Sequence, residues 1–370
     1  MKRRFSFIAA LLVFFAHAAV TNAPVTALDA TPDDTARILA GLRPAPTSPL
    51  APMTQDPAWQ SHASAMNASW AELDQRQLSR ARVWSLANLG TPSPVMFYMF
   101  SGPDFPNAEA LFPRATTYVF AGLEPVGPLP DVIALPPAKL PAALGELRAS
   151  LGNFLQYGYF ITRDMGTDMR SGSFTGVLPV LYLSLARSGM TITGVTFLNL
   201  DGKGGTAPLK SGGKARPRGV RIDFAGPAGG QRTLYYFSTD LSDGGVGKSG
   251  FLKFCEKLGG GDSLLKSASY LMHVGGFSRV RGFLLANSAT LVQDDSGIPL
   301  KYFEPGRWRL RPFGQYLPPI DEFKRHEQPD MAQLFAGASP VNFGMGYHWH
   351  ASRTNILVAD RVTGPAPPRQ

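Results

Sequence analysis

Residues 95–127, VMFYMFSGPDFPNAEALFPRATTYVFAGLEPVG, constrain the fold of this chain more than any other stretch. An apolar run over 95–100 ends at a Ser-Gly-Pro-Asp turn, a helix-compatible segment follows, and a second apolar run covers 117–123. Two short apolar runs on either side of a short helix are typical of a β-α-β unit. We therefore predict that 95–100 and 117–123 form adjacent parallel strands.

The rest of the chain alternates between helical spacing of apolar residues and runs rich in β-branched residues. This alternation predicts an α/β fold with a mainly parallel sheet flanked by helices, Rossmann-like in its first half. We also expect an N-terminal helical arm, capped by Thr31, and an irregular C-terminal part. The predicted helices cover 59–89, 140–155, 174–187, 249–258, 263–273 and 278–287, and the predicted strands 191–200, 220–224, 233–238, 289–292, 341–350 and 355–359.

The N-terminus has the pattern of an export signal. Three cations, Lys2, Arg3 and Arg4, precede an apolar run over 5–20 that contains a small-x-small cleavage pattern, and that run is too short for a comfortable membrane span. We expect an exported protein, periplasmic or extracellular, with no transmembrane segment in the mature chain. The predicted division is a signal peptide over 1–23, a proline-rich segment over 24–54 and a single α/β domain over 55–362.

Charge and cysteine content narrow the classes of partner. Cys255 is the only cysteine, so no intrachain disulfide can form. The formal charge of +9 includes three cations of the leader, and most of the remaining excess lies in the Gly- and Pro-rich stretch 201–219. That stretch is either a contact for an anionic envelope polymer or a solvated hairpin excursion. No basic face interleaved with aromatics is visible, which argues against nucleic-acid binding. The cations of the stretch are Lys203, Lys210, Lys214, Arg216 and Arg218.

The spacing between Gly102 and Glu124 is close to that of a dinucleotide-binding β-α-β unit. The first half of the chain is thus distantly similar to Rossmann-like and class I methyltransferase units. The loop departs from that pattern, because it has one glycine instead of three and because Pro103 and Pro106 lack the N–H groups that hold a phosphate. The sequence therefore predicts a Rossmann-like fold but does not identify a cofactor.

Two further motifs are open to ordinary structural explanations. The segment 242–249, SDGGVGKS, follows a predicted strand as a phosphate-binding P-loop would. A glycine-rich turn with one lysine is the better account, because the chain carries an export signal and nucleotide triphosphates are absent outside the cytoplasm. His348 and His350 would share one face of a strand, yet two histidines without a third ligand do not predict a metal site. No G-x-S-x-G elbow and no cysteine–histidine arrangement is present for acyl-enzyme chemistry.

Acidic and hydroxyl residues follow several of the predicted strands. Asp, Ser and Gly are turn formers, which explains part of this pattern. Carboxyl ends of parallel strands, however, meet at one edge of a sheet, so these loops predict a ligand cleft, with Asp104, Asp240 and Asp295 as catalytic candidates. Nearby cations, Lys266, Arg279 and Arg281, would instead make the group a structural ion network. The predicted ligand-binding residues are Ser101, Gly102, Asp104, Glu124, Ser238, Asp240, Asp243, Asp294, Asp295 and Ser296.

Five segments together resemble a family of exported bacterial proteins of uncharacterised activity. They are FSGPDF, GLEPVG, YYFSTDLSD, KSASYLMH and QDDSGIP, and the resemblance covers roughly residues 95–320. It implies no activity, but it suggests that these loops belong to one site.

Three functions are compatible with these features. The first is a binding protein for a small polar or cell-envelope ligand. The second is a hydrolase that uses paired carboxylates or a metal ion. The third is a structural envelope-associated protein whose basic stretch contacts an anionic polymer.

Overall fold

Ten strands and eleven α-helices make up the described part of the chain. The computed structural model describes residues 30–160, 172–209 and 217–362, so the predicted signal peptide lies outside the described residues. The strands are β1 (Val95–Met99), β2 (Thr117–Gly122), β3 (Thr191–Leu200), β4 (Thr206–Pro208), β5 (Gly219–Ala225), β6 (Gln231–Ser238), β7 (Gly261–Leu265), β8 (Ser288–Gln293), β9 (Trp308–Gly314) and β10 (Asn355–Arg361). The helices are α1 (Pro32–Leu39), α2 (Pro57–Leu73), α3 (Ser79–Asn88), α4 (Phe105–Leu111), α5 (Leu140–Ser150), α6 (Gly152–Tyr157), α7 (Leu178–Arg187), α8 (Asp243–Ser249), α9 (Phe251–Lys257), α10 (Ser278–Asn287) and α11 (Pro329–Leu334).

The strands form a sheet that is parallel in its centre and antiparallel at both flanks. Its order is β4-β3-β5-β6-β2-β1-β7-β8-β10-β9. The strands from β6 to β8 run parallel, whereas β5, β3 and β4 on one side and β10 and β9 on the other pair antiparallel. The predicted α/β class and the parallel pairing of β1 with β2 are confirmed. The sheet as a whole is mixed, because the flanking hairpins are antiparallel.

The chain reverses its path across the sheet at β1. From β1 it proceeds to β2 and then to β6 on one side, and it returns to β7 and then β8 on the other. The carboxyl ends of β1 and β7 therefore flank the point at which the strand order reverses. In open α/β sheets, this position is a crevice in which ligands bind.

Helices cover both faces of the sheet and bury its central strands. Met96 and Tyr98 of β1 pack in one core with α1–α7, and Val95, Phe97 and Met99 pack in a second core with α8–α11. Because successive side chains of a strand point to opposite faces, a strand buried on both sides needs an uninterrupted apolar run. The sequence of β1 meets this requirement.

The long helices lie close to where the sequence predicts them. The predicted helix over 59–89 is confirmed as α2 and α3, joined by a π-helical turn over Asp74–Leu78. The predicted helix over 140–155 is interrupted at Leu151, and Thr31 caps α1 by accepting a hydrogen bond from the Asp34 N–H. None of the helices in residues 30–160, 172–209 and 217–362 is long and apolar enough to cross a membrane.

Two segment predictions are wrong. Residues 263–273 are not a helix, because they contain the end of β7, which is buried on both faces, and then a turn. A short apolar run of this kind cannot be distinguished from a helix by periodicity alone. Residues 341–350 are irregular apart from one bridge between Met345 and His348, and the antiparallel partner of β10 is instead β9.

Candidate functional site

Three loops meet at the carboxyl ends of neighbouring strands in the parallel centre. Residues 100–104 follow β1, 266–270 follow β7 and 294–296 follow β8, and together we call them the switch loops. Since β1, β7 and β8 are consecutive in the sheet, the ends of the outer two lie about 10 Å apart. Most of the polar groups of the switch loops are directed at one another.

Asp104 and Lys266 form a buried ion pair across the switch point, the place between β1 and β7 at which the strand order reverses. The Nζ of Lys266 lies 2.9 Å from Oδ2 of Asp104, and both side chains are 2% exposed. Asp104 also accepts hydrogen bonds from the Tyr98 hydroxyl at 2.7 Å and the Asn107 Nδ2 at 2.8 Å, and it caps α4. Lys266 donates a further hydrogen bond to the Gly158 carbonyl at 2.8 Å. Each buried charge therefore has a charged partner and additional hydrogen bonds, as burial requires.

Asp294 is a buried carboxyl group bound by neutral donors. It accepts hydrogen bonds from the Ser267 N–H at 2.9 Å and the Ser296 N–H at 3.0 Å, and it is 1% exposed. Burial, together with the adjacent carboxyl group of Asp295, raises the pKa of Asp294 to about 6. Among the described residues, no cation forms an ion pair with it.

Asp295 is buried beside Asp294 and is bound from two other elements. Its carboxyl group accepts hydrogen bonds from the Tyr270 hydroxyl and, at 3.1 Å, from the Asn355 Nδ2 at the start of β10. Burial raises the pKa of Asp295, while these two hydrogen bonds oppose the shift. Two adjacent buried carboxyl groups without a paired cation favour a protonated state for at least one of them.

Tyr270 connects the two acids to aromatic side chains at the boundary with solvent. Its ring stacks on His326 with 5.3 Å between the ring centroids and lies parallel to Tyr347 at 6.4 Å. The Tyr347 hydroxyl is hydrogen-bonded to the Ser269 Oγ at 3.0 Å and donates to the Ser267 carbonyl at 3.2 Å. Tyr347 and His326 are half-buried, so these rings stand between the switch loops and water.

The switch loops contain every non-glycine residue with a positive φ in the described part of the chain. Phe100 has φ of 61°, and Ser267, Ser269 and Tyr270 have values of 53°, 51° and 54°. Such backbone conformations cost an L-amino acid roughly 1–3 kcal/mol each and occur mostly where the surrounding structure enforces them. Here the Ala268 N–H donates to the Ser296 Oγ at 2.7 Å, which helps to hold the loop after β7.

Ser101, Gly102 and Glu124 lie where β1 and β2 end. The Ser101 N–H donates to the Ala121 carbonyl at 3.0 Å, which ties the first switch loop to β2, and Gly102 has φ of 50°. Glu124 is buried, and its Oε2 accepts a hydrogen bond from the Tyr236 hydroxyl at 3.3 Å. Burial raises the pKa of Glu124.

Ser238, Asp240 and Asp243 lie away from the switch loops. Ser238 ends β6, and Asp240 and Asp243 follow it. In the sheet β6 is two positions from β1 and four from β8, separations of about 10 Å and 19 Å at roughly 4.8 Å per strand, and the hydrogen bonds of the two aspartate side chains go to residues outside the switch loops. Asp240 accepts hydrogen bonds from the Ser242 N–H and Oγ, both at 2.8 Å. Asp243 instead holds the start of α10, through the Ser278 Oγ at 2.6 Å. The structure therefore brings Asp104, Asp294, Asp295 and Ser296 together and leaves these three at a separate place.

Several residues that belong to the switch loops or bind them have no strong signal in the sequence. Tyr270 and Lys266 belong to the segment KSASYLMH, but their roles depend on strand β7, where the sequence pattern predicts a helix. Tyr98 is hidden in an apolar run, and Asn355 reaches Asp295 from 60 residues further along the chain. Of the nearby cations, only Lys266 pairs with an acid of the switch loops, because Arg281 donates to the Met272 carbonyl and the Arg279 N–H binds Asp243.

The two weaker motifs lie in an irregular segment and in a helix. Within residues 30–160, 172–209 and 217–362, no group of three or more His, Cys, Asp or Glu side chains is arranged to hold a metal ion. Burial lowers the pKa of His348, whose segment is irregular. The glycines of SDGGVGKS lie inside α8, so their N–H groups do not form a phosphate-binding loop.

Comparison of the chain with protein-family models, curated proteins and solved structures found no match. The resemblance to an exported bacterial family therefore stays a prediction, and the proposals below rest on the residues of the chain itself.

Proposed function

We propose that this protein is exported and binds a small polar ligand at the crevice between the carboxyl ends of β1 and β7. The observation that carries the proposal is that the four non-glycine residues with a positive φ in the described part of the chain all lie in the loops after these two strands. A backbone strain of this kind persists where a fixed geometry is needed, and it is concentrated at ligand and active sites. The strand order places the same two loops where open α/β sheets bind ligands.

The order of the parallel strands supports a Rossmann-like description of the centre of the sheet. Numbered by their appearance in the chain, β6, β2, β1, β7 and β8 are the third, second, first, fourth and fifth parallel strands. That order is the one found in Rossmann-like sheets. The cofactor stays open, because Pro103 and Pro106 remove N–H groups that a dinucleotide phosphate would need.

The charge of the switch loops favours a neutral or cationic ligand. Asp104, Asp294 and Asp295 supply three carboxyl groups, whereas Lys266 is the one cation that pairs with them among the described residues. An anion would be repelled by this excess of carboxyl groups, whereas the hydroxyl or ammonium groups of a ligand would find hydrogen-bond acceptors. A polar ligand of the cell envelope, such as a saccharide, has this chemistry.

A carboxylate-dependent hydrolase is the second candidate, and the raised pKa of Asp294 favours it. A carboxyl group that stays protonated near pH 6 is suited to act as a general acid. The neighbouring Asp295 would serve as its partner. Opening of the loops would be required, because both groups are buried.

A thermal-shift screen against saccharides, amines, nucleotides and divalent metal ions tests the proposal. A ligand that binds the native state raises the unfolding temperature according to RT ln(1 + [L]/Kd). We expect Tyr347→Phe and Ser269→Ala, which remove hydroxyl groups at the mouth of the crevice, to reduce the response to that ligand with little loss of stability. The matched control is Tyr302→Phe, whose hydroxyl has no hydrogen-bond partner among the described residues.

The outcomes separate the two candidates. A response that requires a divalent metal, or turnover of the ligand, would favour the hydrolase. A response that both Tyr347→Phe and Ser269→Ala leave unchanged would place the ligand elsewhere and overturn the proposal.

A further inference from the structure

A polar cavity opens at the carboxyl end of β6, outside the switch loops. Its volume is about 260 Å³, close to the lower bound of roughly 300 Å³ for small-ligand sites. It lies where the antiparallel strands join the parallel centre. Its polar lining consists of Arg218, Ser238, Thr239, Asp240, Lys248 and Ser249.

The pairing of the strands fixes most of this lining. The Ser238 N–H donates to the Arg218 carbonyl at 2.9 Å, so the start of β5 lies directly opposite the end of β6. The Thr239 N–H donates to the Gly122 carbonyl at 2.8 Å, which fixes the next residue against β2. Lys248 comes from the last turn of α8. Cationic and hydroxyl side chains from three elements thus converge on one space.

The single carboxylate of the cavity is already engaged. Asp240 is bound by Ser242 through two hydrogen bonds, and it packs so closely on Gly245 that no side chain would fit there. By contrast, the side chains of Arg218 and Lys248 form neither a hydrogen bond nor an ion pair with any described residue. The hydroxyl groups of Ser238 and Thr239 are likewise without a hydrogen-bond partner in the described part of the chain. The cavity therefore holds unpaired donors and an excess of positive charge.

We propose that this cavity binds an anionic phosphate group. The Arg218 guanidinium has the planar fork that binds two phosphate oxygens, and the Lys248 ammonium is a compact charge for a third. The Ser238 and Thr239 hydroxyls supply neutral donors at the ends of the strands. This site differs from a P-loop, because side chains and not the N–H groups of the glycines are the donors.

The phosphate can come from a free small molecule or from a phosphate-bearing envelope polymer. Arg218 is the last cation of the basic stretch 201–219, which itself suits a polymer of repeated negative charges. Lys210, Lys214 and Arg216 lie outside the described residues, and the proposal does not use them. The shared ligand chemistry is a phosphate oxyanion.

Isothermal titration with inorganic phosphate, and separately with poly(glycerol phosphate), tests this site at constant ionic strength. We expect the double variant Arg218→Gln/Lys248→Gln to raise the Kd at least tenfold, because it removes both cations that would form charge-assisted hydrogen bonds with the phosphate oxygens. Lys248→Arg, which keeps the charge, should retain most of the binding. Tighter binding of the polymer per phosphate identifies the polymer as the source, and equal or weaker binding identifies a free phosphate.

The control is Arg43→Gln/Lys139→Gln, which removes the same two charges at exposed positions outside the cavity. We expect this control to bind phosphate as the wild type does. The proposal is overturned if the wild type binds neither probe, or if both double variants weaken binding equally. The residues lie outside the switch loops, so this result is independent of the function proposed above.

Discussion

The Nζ of Lys266 lies 2.9 Å from Oδ2 of Asp104, and this ion pair joins the ends of β1 and β7 across the switch point. Both charges are removed from water, which costs several kcal/mol for each ion. The Tyr98 hydroxyl, the Asn107 amide and the Gly158 carbonyl supply the hydrogen bonds that offset this cost. The pair thus fixes the separation of two loops that strand pairing alone would leave free beyond the last residue of each strand.

Lys266→Met should destabilise the protein strongly. The substitution leaves Asp104 buried without its cation, and breaking a buried pair in this way costs about 3–5 kcal/mol. The free energy of unfolding from urea titration measures the loss. The control is Lys139→Met, an exposed lysine at the start of α5, for which we expect a change within about 0.5 kcal/mol.

The double variant Asp104→Asn/Lys266→Met separates charge from packing. Since it removes both charges, we expect it to be more stable than Lys266→Met alone. If the double variant is no more stable than the single one, the ion pair contributes little and the cost comes from packing of the lysine chain.

The sequence predicts the centre of the fold because the decisive signals there are local. The residues of β1 form an apolar run flanked by turn residues, and those of α2 and α3 keep helical spacing over many turns. The prediction of a helix over 263–273 is wrong because it too uses local signals only. The few apolar residues there fit both the helical and the strand period, and β7 is distinguished as a strand by its burial on both faces. The pairing of β10 with β9 joins residues about 50 positions apart, which no local pattern reports.

The site is predictable only in part. Asp104, Asp294 and Asp295 are found from their position after apolar runs, because strand ends collect at one edge of the sheet. The partners of Asp295 are Asn355 and Tyr270, which reach it through tertiary packing that no local pattern reports. Asp240 fits the same local pattern, yet the strand order places β6 far from β8.

Asp294 should make the protein less stable as the pH rises. Its pKa is about 6 in the folded protein and roughly 3.9 in an unfolded chain, so the folded state holds the proton more tightly. The resulting stability is fully present below about pH 4 and is lost as the pH rises through 6, by an amount on the order of 2–3 kcal/mol. We expect Asp294→Asn to lose this part of the pH dependence.

Urea unfolding at pH 4 and pH 7 measures that difference. Asp240→Asn is the control, because it removes an equal charge from an exposed side chain. An identical change in unfolding free energy between the two pH values for wild type and Asp294→Asn would contradict the assignment.

Tyr270→Phe should destabilise the protein by about 1–3 kcal/mol. The variant keeps the ring stacked on His326 but removes the hydroxyl that donates to the buried Asp295 carboxyl group. Loss of this donor also raises the pKa of Asp295 further, so the loss of stability should grow from pH 4 to pH 7. Tyr302→Phe serves as the comparison, and an equal effect of both variants at both pH values would exclude a role for the hydroxyl.

Gly346→Ala tests how closely the C-terminal segment packs on the switch loops. Gly346 has φ of 64°, and a Cβ at this position would collide with Oδ2 of Asp294. The positive φ alone costs an alanine about 1–2 kcal/mol. Displacement of the buried carboxyl group from the Ser267 and Ser296 N–H groups adds roughly 1–3 kcal/mol for each unmet hydrogen bond. We therefore expect a total loss of about 3–8 kcal/mol in urea unfolding.

Gly337→Ala isolates the contact with Asp294 from the backbone strain. Gly337 has φ of 83°, and a Cβ there meets no atom within 4 Å, so only the backbone term applies. We expect it to lose about 1–2 kcal/mol with an unchanged dependence on pH. Gly346→Ala should in addition alter the change in unfolding free energy between pH 4 and pH 7, because it disturbs Asp294, whose pKa is raised. If the two variants lose equal unfolding free energy and show equal pH dependence, the segment around Gly346 shifts to accommodate the alanine and does not hold Asp294 in place.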